Sequence, residues 1–317
     1  MAWTLPPGWF GKLSASKGRW FFWHEADPAS VTWTPPSWNA RVADSYNCHL
    51  QADPSTSLFR SCQNFCKSAV LSTWLFSQLT TSSRVLDIGC GKGGDGAKVP
   101  SLHSFTGVDI ADAALEEGRK RFPQHTFQHA DFSHPTHTLY DQMQPSERFD
   151  AAWSSFAFHY GGDALDVALR NTRSVLKTGS SFLFIVLDEG METQRPSGYG
   201  PLRVEKWERR DVGPKGLCMS SSKCWVSFQG SFASLPECIL TKEQVEAACS
   251  ASKFVVRKTQ LLGSALQQLY DWADTPEALS QRSDLEELRR RYRDSQMWDS
   301  THFAFANCYR VWLLEAV

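Results

Sequence analysis

The chain has 317 residues, enough for one large domain or two, and a formal net charge of −1. This charge excludes a bulk electrostatic attraction to nucleic acid, so any basic surface must be local. The nine cysteines are odd in number and scattered, and the start of the chain lacks the apolar core of a signal peptide. We therefore expect reduced thiols in an intracellular protein.

Neither a metal site nor a membrane span is predicted. The spacings Cys62-x3-Cys66 and Cys218-x5-Cys224 differ from the common CxxC of zinc sites, and no histidine pair completes them. The longest apolar run, Phe182–Leu187, has the length of a strand and is too short to cross a bilayer.

The first 36 residues differ in composition from the rest, since five of the thirteen tryptophans precede residue 34. Three motifs follow one another: Leu5-Pro-Pro-Gly-Trp9, Gly18-Arg-Trp-Phe-Phe-Trp-His24 and Thr32-Trp-Thr-Pro-Pro36. Together they resemble a WW domain, a three-stranded sheet that binds proline-rich peptides. The chain departs from that family in having Phe21 in place of the usual tyrosine and His24-Glu25 in place of Asn-His.

The WW resemblance implies a role for each aromatic residue. Trp9, Phe22 and Pro36 would pack into a buckle that closes a sheet otherwise too small to be stable. Phe21 and Trp33 would hold a proline between them. The expected partners are therefore Pro-rich or phospho-Ser-Pro peptides, or transcription or capping proteins. The alternative is a sheet that only packs on the main domain.

After a polar connector at 39–52, apolar residues at helical spacing predict a helix over 57–79. Strands and helices then alternate, which predicts a doubly wound parallel sheet. The predicted elements are strand 84–88, a glycine turn and a helix after Asp95, strand 105–110, helix 112–122 with Asp112 as N-cap, strand 126–130, strand 149–156, helix 163–177 and strand 181–187.

The alternation stops after residue 188. Residues 190–240 are rich in Gly, Pro, Ser and charge, which is typical of an insertion on the substrate side of a domain. Helix 242–252, strand 254–260, helices within 263–297 and a last strand 303–315 complete the prediction. The predicted domains are therefore 1–38, WW-like, and 39–317, with the insertion at about 190–240.

The segment Arg84–Asp95, Arg-Val-Leu-Asp-Ile-Gly-Cys-Gly-Lys-Gly-Gly-Asp, is the most informative part of the chain. Its glycines allow the backbone to approach a ligand closely. Asp87, Asp109 and Asp131 each lie at the end of a different predicted strand, and ligands of such sheets bind at the carboxyl ends of strands. Because NAD sites usually need only the second acid, three acids favour S-adenosylmethionine.

Two motifs narrow this prediction further: Gly-Cys-Gly-Lys-Gly-Gly-Asp and Ser155-Phe-Ala-Phe-His-Tyr160. Together they resemble the mRNA cap guanine-N7 methyltransferases, and the similarity runs from about Tyr46 to the end of the chain. It includes Asn64-Phe-Cys-Lys67, Leu235-Pro-Glu237 and Tyr309. The resemblance implies a class I (Rossmann-like) S-adenosylmethionine-dependent methyltransferase fold with a mostly parallel seven-stranded sheet.

The resemblance also implies two sets of binding residues. Those for S-adenosylmethionine, with S-adenosylhomocysteine as product, are Lys67, Asp87, Gly89, Gly91, Asp109, Ile110, Asp131, Phe132 and Ser155. Those for the cap are Asn64, Lys92, Arg121, His159, Tyr160, Glu237 and Tyr309, with Glu237 accepting from guanine N1–H and N2 and with Lys92 and Arg121 on the triphosphate. Simpler interpretations remain: Asp87 could hold the loop, Asp131 could form a turn, His159 could be a core residue, and Arg121 could be a helix C-terminal cation.

The expected reaction is an in-line displacement on guanine N7 of GpppN-ended RNA. Because N7 carries a lone pair and no proton, no residue is assigned an acid or base role. The family role implies nuclear localisation. Two alternatives stay open: another class I methyltransferase acting on RNA or a small molecule, and a non-catalytic adaptor that works through the WW-like module.

Overall fold

The computed structural model describes residues 9–14, 16–17, 20–25, 27–32, 57–80, 82–99, 103–133, 145–161, 164–191, 198–199, 202–208, 222–228, 232–265 and 300–317. Its first element is an antiparallel sheet of β1 (Trp9–Leu13), β2 (Trp20–His24) and β3 (Asp27–Thr32). Phe22 is buried, whereas Phe10 and Val31 flank Trp23 across the strands and are exposed. The sheet has the predicted number of strands. The predicted boundary at 38/39 lies outside the described residues.

A seven-stranded sheet forms the centre of the main domain. Its strands are β4 (Arg84–Ile88), β5 (Ser104–Asp109), β6 (Thr126–His129), β7 (Phe149–Ser155), β8 (Leu176–Leu187), β13 (Phe254–Leu261) and β14 (Tyr309–Ala316). The order is β13-β14-β8-β7-β4-β5-β6, with β14 antiparallel to both of its neighbours. This mostly parallel sheet confirms the predicted class I methyltransferase fold.

Successive side chains of each strand point to opposite faces of the sheet and so contribute to two apolar clusters, one on each face. On one face Val85 and Trp153 pack with α1 (Ser57–Val70) and its continuation, a π-turn at Leu71–Leu75 and a 3₁₀ turn at Phe76–Gln78. The other cluster contains residues of α4 (Leu165–Val175) and α5 (Lys242–Ala251). Helix α2 (Asp112–Arg121) and the short α3 (Phe158–Gly161) follow β5 and β7.

Several local predictions were wrong. The segment after Asp95 forms a 3₁₀ turn at Gly96–Lys98 rather than a longer helix within the described residues. Ala111 is the N-cap of α2, and Asp112 lies in its first turn, where a negative charge still favours the helix dipole. Helix α4 ends at Val175 and β8 starts at once at Leu176, well before the predicted strand.

The predicted insertion contains a second antiparallel sheet. Its strands are β9 (Gly198–Tyr199), β10 (Leu202–Glu208), β11 (Ser222–Phe228) and β12 (Phe232–Ile239), in the order β12-β11-β10-β9. Strand β12 contacts α3 and β8, which brings the insertion to the carboxyl edge of the central sheet. The predicted final strand is also corrected, because Ser300–Ala306 forms helix α6 before β14 begins at Tyr309.

The predicted helices within 263–297 lie mostly outside the described residues. No helix in the described part of the chain is long and apolar enough to cross a membrane.

Candidate active site

A cavity of ≈ 240 Å³ lies at the carboxyl ends of β4, β5, β6 and β7. It brings together most of the residues that the resemblance assigned to a cofactor. Among the residues that line it are Gly89, Gly91, Asp109, Ile110, Asp131, Phe132 and Ser155, together with Phe156 and Tyr160. Its position is the one where ligands of open parallel sheets bind.

The glycine turn after β4 forms one wall of this cavity, and Gly89, Gly91 and Gly93 all have positive φ. Gly89 has φ +74°, and a Cβ there would collide with the Cβ of Ala157. Gly91 has φ +51°, but no atom lies within 4 Å of the position that its Cβ would take. Backbone N–H groups of Gly89 and Cys90 donate to the carbonyl of Val108 at 2.8 and 3.0 Å, which ties the turn to the end of β5.

Two acids in the cavity wall already hold the local backbone. The carboxylate of Asp109 accepts from the Gly91 N–H at 2.7 Å and from the Ala111 N–H at 2.9 Å. Burial raises the pKa of Asp109, and these backbone donors act in the opposite direction. Asp131 accepts from both the N–H and the hydroxyl of Ser133, so it forms the turn expected from the simpler interpretation while also lining the cavity.

Lys67 does not line the cavity but lies behind the glycine turn in an ion cluster that the sequence did not indicate. Its Nζ is 2.9 Å from Oδ2 of Asp95, and Nζ of Lys98 is 2.5 Å from the other oxygen of the same carboxylate. Burial would raise the pKa of Asp95, but the two lysines outweigh it and lower the pKa to about 2. Burial and the nearby Lys67 lower the pKa of Lys98 to about 8.

Asp87 lies beneath this cluster, almost fully buried. Burial raises its pKa well above the usual value, Asp95 adds to this rise, and Lys67 and Lys98 oppose it. Its Oδ2 has no hydrogen-bond partner among the described residues, and neither does the buried hydroxyl of Ser155 at the end of β7. A buried polar atom without a partner is costly. Ser155 lines the cavity, so its hydroxyl is suited to meeting a polar ligand, whereas Asp87 is not among the lining residues.

A second polar group, formed by Glu237, His159 and Tyr160, is buried next to the cavity. Tyr160, which lines the cavity, donates its hydroxyl to Oε1 of Glu237 at 3.1 Å. Oε2 of Glu237 lies 3.7 Å from Nε2 of His159, too far for a hydrogen bond. Burial raises the pKa of Glu237 to about 7 and lowers the pKa of His159 to about 3. The pair is thus a neutral imidazole beside a buried carboxyl whose Oε2 has no hydrogen-bond partner among the described residues.

Phe156 connects the two groups of residues, a role that the sequence did not indicate. Its φ of +61° is unusual for a side chain of this size. Its ring packs edge-on against Tyr309 at 4.8 Å, and Nζ of Lys67 lies 5.7 Å from the ring centre. Tyr309 is itself buried, 6.2 Å from the ring of His159, which brings it into the group predicted for the cap.

Of the other predicted cap residues, two lie at the surface and one lies in the glycine turn. Asn64 is exposed on α1, and Arg121 is exposed at the end of α2, where its guanidinium covers the ring of Phe122 at 5.1 Å, in keeping with a helix C-terminal cation. Lys92 is half-buried in the glycine turn. In the N-terminal sheet, Phe21 is half-buried against Trp23 at 5.6 Å, whereas Trp33 and Pro36 lie outside the described residues and the side chain of Trp9 is not described.

The main residues that sequence reasoning missed are Asp95 and Phe156. Asp95 is the last residue of the Gly-Cys-Gly-Lys-Gly-Gly-Asp motif, but its partner Lys67 is 28 residues away in sequence, so only the fold brings them together. The one sequence signal for Phe156 was its place directly after Ser155 at a strand end.

The residues present fit an adenosyl ligand with a charged tail. Phe132 and Ile110 supply apolar surface, Asp109 and Asp131 supply acceptors, and Gly91 leaves open space. Ser155 provides a hydroxyl that lacks a partner in the described structure, and Lys67, behind the lining residue Phe156, provides a cation for a carboxylate.

Comparisons with known proteins agree with this chemistry. Residues 86–182 match the family model described as a methyltransferase domain. The chain is 22% identical over 295 residues to an mRNA cap guanine-N(7) methyltransferase of Cryptococcus neoformans, covering 83% of this chain and 41% of that protein. It is 28% identical over 166 residues to the protein of that name from Caenorhabditis briggsae, covering 45% and 44%. The chain thus spans less than half the length of these relatives.

Among solved structures, the chain is similar to an S-adenosylmethionine-dependent methyltransferase from Clostridium acetobutylicum, with a TM-score of 0.47, 14% identity and coverage of 88% of this chain and 99% of that one. The CcbJ methyltransferase from Streptomyces caelestis gives a TM-score of 0.48 at 13% identity, covering 80% and 96%. The WW-like resemblance of the N-terminal segment stays a prediction. The predicted resemblance of the main domain to the mRNA cap guanine-N7 methyltransferases is confirmed by the curated relatives and the domain match.

Proposed function

We propose that this chain transfers the methyl group of S-adenosylmethionine to N7 of the guanine cap of GpppN-ended mRNA. The observation that carries the proposal is the contact between the donor cavity and a buried carboxyl: Tyr160 lines the cavity and also donates to Glu237. Two carboxylate oxygens match the two parallel donors of a guanine edge, N1–H and N2–H. The names of the curated relatives support the same substrate.

The donor cavity would hold the cofactor as follows. The Asp109 carboxylate would accept from the ribose hydroxyls while it keeps its bond to Gly91. Asp131 would accept from the adenine amino group, and Lys67 would face the methionine carboxylate. When bound, S-adenosylmethionine supplies an electrophilic methyl on a sulfonium.

The chemical step needs placement rather than proton transfer, because guanine N7 has a lone pair and no proton. Alignment of two bound reactants can supply about 7–11 kcal/mol of a barrier. The low pKa of His159 supports this view, because a buried imidazole with a pKa of about 3 is a very weak base. His159 and Tyr309 would act as walls of the guanine pocket.

The test is methyl incorporation from labelled S-adenosylmethionine into RNA ended with GpppG, with uncapped RNA and tRNA as competing substrates. Transfer only to the capped RNA supports the proposal. Transfer to tRNA or to a small molecule instead would favour another class I methyltransferase, and no transfer with intact cofactor binding would favour an adaptor.

The role of Glu237 is tested by removing one of the two guanine donors, the N2 amine. An inosine cap lacks the N2 amine, so it should react more slowly with the unmodified protein. Glu237→Gln should lose that discrimination while it keeps cofactor binding. Equal rates on both caps for the unmodified protein would refute the pocket assignment.

We also propose that the N-terminal sheet binds Pro-rich or phospho-Ser-Pro peptides, such as those of transcription or capping proteins, through Phe21 and Trp33, and that the protein works in the nucleus. The aromatic packing of Phe21 on Trp23 supports the first part. Affinity capture with such peptides and imaging of the tagged protein test the two parts.

A further inference from the structure

The ion cluster behind the glycine turn has a feature that the cap methyltransferase reaction does not itself require. Asp95 lies between two lysines, and each of its oxygens faces one of them, Lys67 on α1 and Lys98 on the 3₁₀ turn. The Asp95 side chain is 8% exposed and that of Lys67 is 12% exposed, so both charges are largely removed from water. Such a buried charge keeps its ionised form only when it is paired.

We infer that Asp95 is a positioning residue, which holds the Lys67 ammonium in place to bind the methionine carboxylate of the cofactor. The inference rests on the proposed cofactor and goes beyond it by giving a role to a residue that is not among those lining the cavity.

The geometry explains why Asp95 positions Lys67 rather than neutralising it. One proton of the ammonium faces Oδ2 of Asp95, and an ammonium has three donors, so two remain for a ligand. Because Lys98 takes the other oxygen, Asp95 is held from both sides and cannot follow Lys67 toward the cavity. The three groups together carry one net positive charge, which is the sign that a carboxylate needs.

Phe156 limits the remaining freedom of Lys67. Its ring lines the donor cavity, and the ammonium lies 5.7 Å from the ring centre. The ammonium is therefore held between the carboxylate of Asp95 and a wall of the cavity. Without Asp95, Lys67 and Lys98 would lose the one carboxylate that both ion pairs share, and Lys67 would lose its fixed place.

The test compares two ligands that differ in the group at issue. S-adenosylhomocysteine carries the amino-acid carboxylate, whereas 5′-methylthioadenosine has the same adenosine and thioether without it. Calorimetry on the full chain should show that Asp95→Asn weakens S-adenosylhomocysteine binding about tenfold or more, the size of a lost charge-assisted hydrogen bond. Binding of 5′-methylthioadenosine should change less than about twofold, because that ligand never reaches Lys67.

Asp150→Asn is the matched control, because it removes an Asp–Lys pair with Lys177, also at 2.5 Å, at the opposite end of β7. It should leave the ratio of the two affinities unchanged. Asp95→Glu keeps the charge if Asp95→Asn fails to fold, and it should give a smaller loss that is again confined to S-adenosylhomocysteine.

Equal weakening of both ligands by the Asp95 variants would mean that Asp95 only stabilises the loop, and tighter binding of S-adenosylhomocysteine would mean that it competes with the ligand; either result overturns the inference. Failure of the unmodified protein to bind either ligand would instead refute the proposed cofactor, and with it the inference. If the unmodified protein binds S-adenosylhomocysteine more tightly than 5′-methylthioadenosine and both Asp95 variants keep that preference, the inference is overturned while the proposed cofactor stands.

Discussion

Alanine substitutions at Gly89 and Gly91 should separate the folding of the glycine turn from its use. Both residues have positive φ, so any Cβ costs about 1–2 kcal/mol in either variant. At Gly89 the new methyl also collides with Ala157, and overpacking of this kind costs roughly 1–3 kcal/mol more. At Gly91 no atom lies within 4 Å of the new methyl. The expected losses of stability are therefore roughly 2–5 kcal/mol for Gly89→Ala and about 1–2 kcal/mol for Gly91→Ala.

Thermal unfolding followed by tryptophan fluorescence measures this difference. At about 2–4 °C per kcal/mol for a domain of this size, Gly89→Ala should melt roughly 2–12 °C below Gly91→Ala. Ligand binding should show the reverse order at temperatures where both variants are folded. The methyl at Gly91 enters space in the cavity that a ligand would fill, so affinity for S-adenosylhomocysteine should fall about 5–150-fold.

Gly94→Ala is the matched control, because Gly94 also has open space around a Cβ but neither a positive φ nor a place in the cavity lining. Normal ligand affinity in Gly91→Ala, or greater stability of Gly89→Ala than of Gly91→Ala, would refute the reasoning from backbone and space.

Three further predictions address the other groups of residues. Folding raises the pKa of Glu237 from its usual value to about 7, so the neutral carboxyl favours the folded state at low pH. The free energy of unfolding should therefore fall by roughly 3 kcal/mol as the pH rises from about 4.5 through 7. Denaturant unfolding at several pH values measures this fall, and Glu237→Gln should remove it. Lys92→Ala should raise KM for capped RNA more than KM for S-adenosylmethionine in steady-state assays. A larger rise in KM for S-adenosylmethionine would mean that the glycine turn serves the cofactor alone. Trp33→Ala should abolish capture of Pro-rich peptides while methyl transfer continues, whereas loss of transfer would favour a packing role for the N-terminal sheet.

The sequence predicted the central part of the fold because its strands are short apolar runs that end in acids and glycines. It failed where local pattern and tertiary context disagree. Leu176–Ser181 contains Gly179 at φ +84° and reads as the end of a helix, yet Leu176 already pairs with Phe149 of β7, and after a register shift the pairing resumes at Ser181. The segment before β14 alternates like a strand, but His302 and Phe305, three residues apart, both pack on Phe59 of α1, which requires a helix.

The strands of the insertion were missed for a different reason. Residues 190–240 are rich in glycine, proline, serine and charge, which is also typical of loops. The strands depend instead on pairing and on packing between segments that are distant in sequence. Glu237 on β12 pairs with Cys224 on β11, and β12 packs against α3 and β8. The sequence could therefore name Glu237 through a resemblance to a family but could not place it on a strand.

The arrangement around Tyr160 accounts for how one short segment could serve two ligands. Strand β7 ends at Ser155, and within the next five residues the chain reverses through the positive φ of Phe156 into α3. That turn directs Ser155 and Phe156 to the donor cavity and His159 to Glu237, with Tyr160 in contact with both groups. Under the proposed function, the methyl donor and the guanine are thus placed by the same rigid turn. A reaction that depends on alignment alone gains most from this, because one turn carries residues that face both reactants.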